Sequence, residues 1–487
     1  MALQIFNVLG REKQKFTPIE EGHVGIYVCG PTVYDHSHLG HATTYVSFDV
    51  VVRYLRYSGY KVLYVQNITD VGHLREDDTD RVIERAAKVN AKPMQLVETF
   101  TRSYFEDMDA LGVTRPDISP RASGHVPEQI EMIQELIRQE HAYESDGNVY
   151  FDVTSDPNYG QLSNRRVEDQ QDESRELIGS GKNHPADFAL WKKADPDHIL
   201  RWNSPWGEGF PGWHIECSAM ARKYLGANFD IHGGGIDNIY PHNENEIAQS
   251  ECANGQAFAN YWMLTGSLMV TDPYEGIPVK MSKSLGNFVT IKDALKDYRP
   301  QELRYFILTS HYSNPVVYSE ESLVSAKSGW ERLMNAVRLT RQQMNNAPDT
   351  DAGNGFLERI AKAKAEFTTV MDDDFNSPRA IAVLQDLTRD VNTLLNADAE
   401  VGLSTLQAIN EAYTTMGGDV LGLIPAVDVA DSGDSKREAA LIEMLIEMRA
   451  QARIDKDYAR SDQIRDQLAA MGIILEDRAD GTIWKVQ

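Results

Sequence analysis

Residues 25 to 65 constrain the fold more than any other stretch. Gly25-Ile26-Tyr27-Val28 is a short apolar strand candidate, and a loop follows from Cys29 to Ser37. Val46, Val50, Val51, Tyr54 and Leu55 then recur at helical spacing until Gly59, after which Lys61-Val62-Leu63-Tyr64-Val65 offers a second strand. Strand, helix and strand in so short a span make a β-α-β unit, the kind that opens a nucleotide-binding parallel sheet. The dinucleotide fingerprint G-x-G-x-x-G is not part of it. The first strand runs instead into Cys29-Gly30-Pro31-Thr32, which puts Cys29 at the strand's carboxyl end, where open α/β sheets hold their ligands.

The rest of the chain divides by pattern. Residues from about 115 to 205 look less regular, and the polar stretch Val167 to Glu176 reads as a surface insertion between the halves of a sheet. From about Ser319 the pattern turns helical: Leu323, Ala326, Trp330, Leu333 and Val337 recur at three- and four-residue steps, and Ser377-Pro378 caps a run through Val383, Leu384, Leu387 and Val391. Linker composition between Pro425 and Ser435 sets off a small terminal module.

Three cysteines in 487 residues cannot form a disulfide scaffold. Two of them, Cys29 and Cys217, stand beside glycine-rich or aromatic strings, and with His242 and Glu246 they read as one zinc site. His242 and Glu246 lie four residues apart just after Pro241, a favoured first helical residue, so a helix begun there puts both on one face. Zinc accepts thiolate, imidazole and carboxylate, and such a borderline-soft ion also captures a substrate thiol, which points to cysteine as substrate. The opening MALQIFNVLGREKQ has no signal-peptide apolar region and no run reaches membrane-spanning length, so a soluble cytoplasmic protein with no membrane partner is expected. A formal net charge of −25 argues against nonspecific nucleic-acid binding; a nucleic-acid partner must dock on local basic patches.

Two further strings carry phosphate chemistry. His38-Leu39-Gly40-His41 opens the first long helix, with Ser37 as its expected N-cap; free amides, the helix dipole and two imidazoles would face an anion such as a triphosphate. Alone, the string fits two surface histidines equally well. Lys280-Met281-Ser282-Lys283-Ser284 offers two lysines on a loop, suited to charge that grows on phosphate oxygens during displacement. An isolated K-x-x-K is more often a solvated basic loop, but its order after the histidine string reverses that preference.

The two strings resemble the HIGH and KMSKS signatures of class I aminoacyl-tRNA synthetases, and with the zinc constellation the chain resembles the cysteinyl-tRNA synthetases. Phe188-Ala-Leu-Trp-Lys192, Ser204-Pro-Trp-Gly207, Pro211-Gly-Trp-His-Ile-Glu-Cys217, His232-Gly-Gly-Gly235, Pro241-His-Asn-Glu-Asn-Glu246, Asp372-Asp-Asp-Phe-Asn376 and the tail from Ala459 to Trp484 all look like segments of that family. The implied fold is α/β: a Rossmann-like parallel-sheet catalytic domain over residues 1–315 with an insertion at about 115–205 and a KMSKS loop at about 271–290, then a helical-bundle tRNA-binding domain over 316–424 and a small anticodon-recognition module over 436–487. Carried over position by position, the resemblance implies one Zn²⁺ per chain on Cys29, Cys217, His242 and Glu246, with the substrate thiolate on the metal. It implies catalytic roles for His38, His41, Lys280 and Lys283, and ATP contacts from His38, Gly40, His41, Gly233, Gly234, Gly235, Asp237 and Lys283. Gly30, Thr69 and Trp213 would line the cysteine pocket, with Trp213 on the same helical face as Cys217. The implied reaction is ATP-dependent activation of L-cysteine, with Mg²⁺ on the phosphates, and transfer to tRNA(Cys) by a monomer. Because a serine hydroxyl is a poor zinc ligand, no editing site is required.

The chain departs from the family pattern in places. After Asn67-Ile68-Thr69-Asp70, Val71-Gly72-His73-Leu74 begins an acidic stretch through Asp80, and the loop Thr271 to Val279 is longer than usual. Cys252 matches no ligand position and reads as a buried free thiol. Arg449, Arg453, Lys456 and Arg460 would form one basic stripe on an unbroken helix from Glu447 to Arg460, though Asp455 and Asp457 argue for a break and a solvated mixed-charge face is the commoner arrangement. Trp484 would stack on an unpaired anticodon base or pin the small module. The closest rival is a cysteine ligase that joins activated cysteine to an amino sugar; the helical last third argues against it. A catalytically idle zinc- and nucleotide-binding regulator is disfavoured by the intact histidines and lysines, and a zinc peptidase by the lack of His-Glu-x-x-His.

Overall fold

The computed structural model describes residues 2–72, 80–165, 181–195, 198–271, 277–281, 287–397, 400–425, 432–478 and 481–486. It divides into two compact units, Met1–Ile424 and Pro425–Gln487.

In the first unit the β-α-β element is present: strands His23–Val28 and Lys61–Gln66 pair in parallel, joined through helix Leu39–Tyr57. Two later strands, Phe229–Gly235 and Ala259–Thr265, extend the sheet from the other edge of His23–Val28, and all four run parallel. The order reverses between His23–Val28 and Phe229–Gly235, so a crevice opens at their carboxyl ends. The first helix starts one residue later than expected. Residues 37–39 run extended against 289–291, with the Ile291 N–H on the Ser37 carbonyl at 3.0 Å and the Leu39 N–H on the Val289 carbonyl at 3.1 Å, so His38 rather than Ser37 is the N-cap. Tertiary pairing has taken an amide that a bare helix start would leave free.

Between the sheet's two halves come helix Val126–Arg138 and a five-stranded antiparallel sheet. The irregularity expected for this stretch is therefore corrected. Its strands, Ala142–Ser145, Asn148–Phe151, Phe188–Lys193, Trp202–Ser204 and Gly207–Pro211, show no clean alternation of apolar and polar side chains for a two-residue period to register. The Val167 to Glu176 stretch lies outside the described residues.

Helices Glu320–Met344, Phe356–Met371, Ser377–Leu395 and Leu403–Ala412 form the bundle. Leu323, Ala326, Trp330, Leu333 and Val337 are all buried, as their spacing predicts. The cap of the third helix is Asn376, whose Oδ1 accepts from the Arg379 N–H at 3.3 Å, one residue before the expected Ser377. Sheet and bundle share one core, in which Val46 and Val50 of the first helix join Trp330, Leu384 and Met416. Within it Arg304 donates to Asp49 Oδ2 at 2.7 Å and to the Leu421 carbonyl at 2.9 Å, tying the first helix to the bundle.

The second unit holds helices Ser432–Ile454 and Tyr458–Ala470 and an antiparallel hairpin, Ile473–Arg478 with Gly481–Val486. The first helix takes the end of the expected linker; residues 426–431 lie outside the described residues. Trp484 packs on the small core of Ile442, Ile464, Leu468 and Ile473, so it pins the module. The basic stripe does not form on one helix. The chain breaks after Ile454, Lys456 takes a left-handed φ of 59°, and Arg449 is buried.

Candidate metal centre and nucleotide cleft

The four proposed ligands converge. Sulfur, nitrogen and oxygen atoms of Cys29, Cys217, His242 and Glu246 all lie within 4.8 Å of one another, and all four residues are buried. Cys29 follows strand His23–Val28, Cys217 sits in the second turn of helix Trp213–Leu225, and Glu246 in the first turn of helix Glu244–Asn254. His242 arrives differently from the expectation. Pro241 does not open one continuous helix; it sits with His242 in a wide turn, Ile239–Asn243, in which Tyr240 is extended, and the regular helix begins at Glu244. His242 Nε2 still lies 3.8 Å from Glu246 Oε2.

Further polar groups hold these ligands. Glu246 accepts from His232 Nε2 at 3.2 Å and from the Asn243 amide at 2.7 Å, while His242 Nδ1 meets His214 Nδ1 at 3.0 Å. Burial alone would raise the Glu246 pKa, yet His232 and His242, with hydrogen bonds from His232 and Asn243, bring it to about 2. The thiols move the other way. Cys217 is pushed well up by its contact with Cys29, by burial and by the charges of Cys29 and Glu246. For Cys29, the hydrogen bond from Cys217 pulls down, but burial and Glu246 outweigh it and the pKa rises. A low-dielectric pocket that gathers two thiols and a carboxylate favours a dication, which relieves this crowding of negative charge. Two sulfurs, a nitrogen and an oxygen also match a four-coordinate zinc donor set.

Three of the quartet, Cys29, Cys217 and His242, line a cleft of about 270 Å³ together with Gly30, Thr69, Trp213, His38, Gly40 and His41. Gly30 must be glycine: an added Cβ would lie 1.5 Å from the Asn67 carbonyl oxygen. Asn67 accepts from the Gly30 N–H at 2.8 Å and donates to Thr69 Oγ1 at 3.0 Å, so one buried amide holds two pocket positions. Trp213 stacks beside His242, ring centroids 4.4 Å apart. His38 and His41 stack at 3.9 Å.

The adenosine candidates separate. Gly235 and Asp237 line the cleft, whereas Gly233 faces the first helix, where a Cβ would come within 2.3 Å of the Phe48 ring; Gly234 lies against Cys29. Lys280 ends strand Pro278–Lys280, with Nζ on Asp237 Oδ1 at 2.7 Å. Lys283 lies outside the described residues, as do 73–79 and 272–276 of the two departing loops. Cys252 is half-buried rather than buried, its thiol pushed up to about 12 by burial with help from Asp156 and Glu251. Sequence reasoning gave no part to Asn67, His214 or Asn243. A single amide or imidazole carries no period, and only its neighbours in space give it a role.

Solved structures share the fold. Mycobacterium tuberculosis methionyl-tRNA synthetase in complex with methionyl-adenylate matches over 81% of this chain and 88% of its own, with a TM-score of 0.56 at 15% identity. A LeuRS of Agrobacterium radiobacter K84, in ternary complex with tRNA and LeuAMS, matches over 85% and 88% with a TM-score of 0.59 at 12% identity. The architecture is that of the class I aminoacyl-tRNA synthetases. Residues 15–328 match the profile of the "tRNA synthetases class I (C) catalytic domain", 366–425 the DALR domain and 438–484 the "cysteinyl-tRNA ligase anticodon binding domain". Cysteine-tRNA ligases of Chlorobium luteolum (48% identical, 99% of each chain), Deinococcus radiodurans (47%, 99% of this chain and 96% of that one) and Thermus thermophilus (44%, 100% of each) align throughout. The chain belongs to the cysteine-tRNA ligase family. Among the described residues no helix is long and apolar enough to cross a membrane.

Proposed function

We propose that this chain activates L-cysteine with ATP and transfers the cysteinyl group to tRNA(Cys). One observation carries the reading: a buried two-thiol, imidazole and carboxylate quartet shares one cleft with the stacked His38 and His41. Cys29, Cys217, His242 and Glu246 would hold one Zn²⁺. When bound, that ion supplies a soft Lewis acid that takes a thiolate and discriminates against a hydroxyl. Thr69, Gly30 and Trp213 enclose the rest of the amino acid. Its carboxylate is then free to attack the α-phosphorus of ATP, which lies towards His38, Gly40 and His41, with Mg²⁺ on the phosphates. Pyrophosphate leaves, and the acyl group of the resulting adenylate passes to a hydroxyl of the terminal ribose of tRNA(Cys), with AMP as the leaving group. No side chain is assigned as general base; positioning and charge stabilisation by the histidines, Lys280 and Lys283 do the catalysis. Gly235 and Asp237 would face the adenosine, with Gly233 and Gly234 shaping that strand end. Residues 1–315 would form the catalytic domain, 316–424 a tRNA-binding bundle and 436–487 the anticodon module, in a cytoplasmic monomer.

The test is ATP–pyrophosphate exchange on zinc-loaded protein with cysteine, with serine as control, followed by charging of a tRNA pool. Cysteine-dependent exchange with charging is expected. Exchange without charging would move the assignment to an amino-sugar ligase, and no exchange would refute it.

A further inference from the structure

Each quartet ligand but one has a hydrogen-bonding side chain behind it that still serves when a metal is held. Glu246 has His232 and Asn243, the Asn243 amide also reaches Cys29 Sγ at 3.8 Å, and His242 has His214. Cys217 differs. Its thiol donates towards Asn67 Oδ1 at 3.7 Å, and a carbonyl oxygen has no proton to return to a thiolate.

A donor is at hand in Tyr27. It stands two residues before Cys29, whose N–H still pairs with the Gly233 carbonyl at 2.9 Å just past the strand's end, so both side chains leave the sheet on one face. Tyr27 is completely buried, and its hydroxyl has no hydrogen-bond partner among the described residues. Its ring lies 5.6 Å from that of His232 and 6.4 Å from that of Phe229, and it belongs to one buried cluster with Cys29 and Cys217. The ionisable groups around that oxygen are Cys217, Cys29 and Glu246, with Cys217 foremost. Interiors rarely leave such a donor idle.

We propose that Tyr27 is a positioning residue of the metal centre, its O–H donating to the Cys217 thiolate when the ion is bound. This rests on the metal reading above. The bond orients the sulfur and draws charge from it, so the ion is left more electron-poor towards the incoming substrate thiolate.

Tyr27→Phe keeps the ring and removes only the oxygen. With cobalt(II) in place of zinc, the variant's thiolate-to-cobalt charge-transfer band is expected at lower energy than the wild type's. Competition with a chromophoric chelator should show zinc held about tenfold more weakly. Melting separates this role from simple packing: the metal-free variant should melt at or above the wild-type Tm, having lost an idle buried hydroxyl, while gaining less from added zinc. Equal Tm shifts in both forms, with an unmoved band and unchanged zinc affinity, would overturn the proposal. A wild-type protein that shows no thiolate-to-cobalt band would refute the metal reading itself, and this inference with it.

Discussion

Asp49 with Arg304 and the Cys29, Cys217, His242 and Glu246 quartet are both buried polar clusters of the same unit, but they are balanced differently. At the first, burial would raise the Asp49 pKa, yet Arg304 and Arg53 hold it below the usual carboxylate range, and backbone carbonyls take further Arg304 protons. Its charges are compensated from within, although Arg304 Nε finds no hydrogen-bond partner among the described residues. At the second, both thiols are pushed upward and the Tyr27 hydroxyl beside them has no partner. A structural cluster satisfies its own charges, whereas a site built for a cation waits for one from outside.

The contrast breaks most visibly if the quartet proves dispensable. Cys217→Ser should lower zinc from about one per chain to near none and cut cysteine-dependent exchange by about 10³-fold or more, read by metal analysis and kinetics. Retained zinc with ordinary exchange would remove the quartet from the mechanism. Arg304→Met should do the opposite. Leaving the buried Asp49 with Arg53 as its remaining counter-charge, it is expected to cost about 3 kcal/mol in denaturant unfolding while the surviving folded protein keeps its zinc.

Acid sharpens the same comparison. Because the folded-state pKa of Asp49 is depressed, its contribution is fully present above the unfolded value, near pH 4, and is lost as pH falls through the folded one. Asp49→Asn should flatten that part of the stability–pH curve, and an unchanged acid limb would contradict the assignment. The smallest effect belongs to the exposed Lys280 and Asp237 pair, whose side chains are 58% and 54% accessible. Asp237→Asn should change stability by no more than about 0.5 kcal/mol, yet raise the KM for ATP several-fold. A large stability loss would make the pair a structural tie instead.

Much of this was legible in the chain itself. The parallel β-α-β unit, the bundle positions and the four ligand types follow from spacing and chemistry. Details at element ends were less so: Ser37 and Ser377 each looked like caps, but strand pairing with 289–291 moved one boundary and Asn376 took the other. Pro241 looked like a helix start and instead sits in a wide turn. The five strands of the insertion escaped notice because their residues do not alternate apolar with polar, and the basic stripe failed at the left-handed Lys456.

By itself, then, the sequence determined the strands and helix of the β-α-β unit, the helices of the bundle and which residues are chemically able to hold a soft metal or a phosphate, since all depend on local period and side-chain type. Only the tertiary structure decided that Cys29 and Glu246, 217 positions apart, bring sulfur and oxygen within about 4 Å, that Asn67 would serve Gly30 and Thr69 together, and that Tyr27 would be buried in one cluster with Cys29 and Cys217. The physical reason is the parallel sheet: it lines up the carboxyl ends of strands from distant parts of the chain, a proximity that no local pattern encodes.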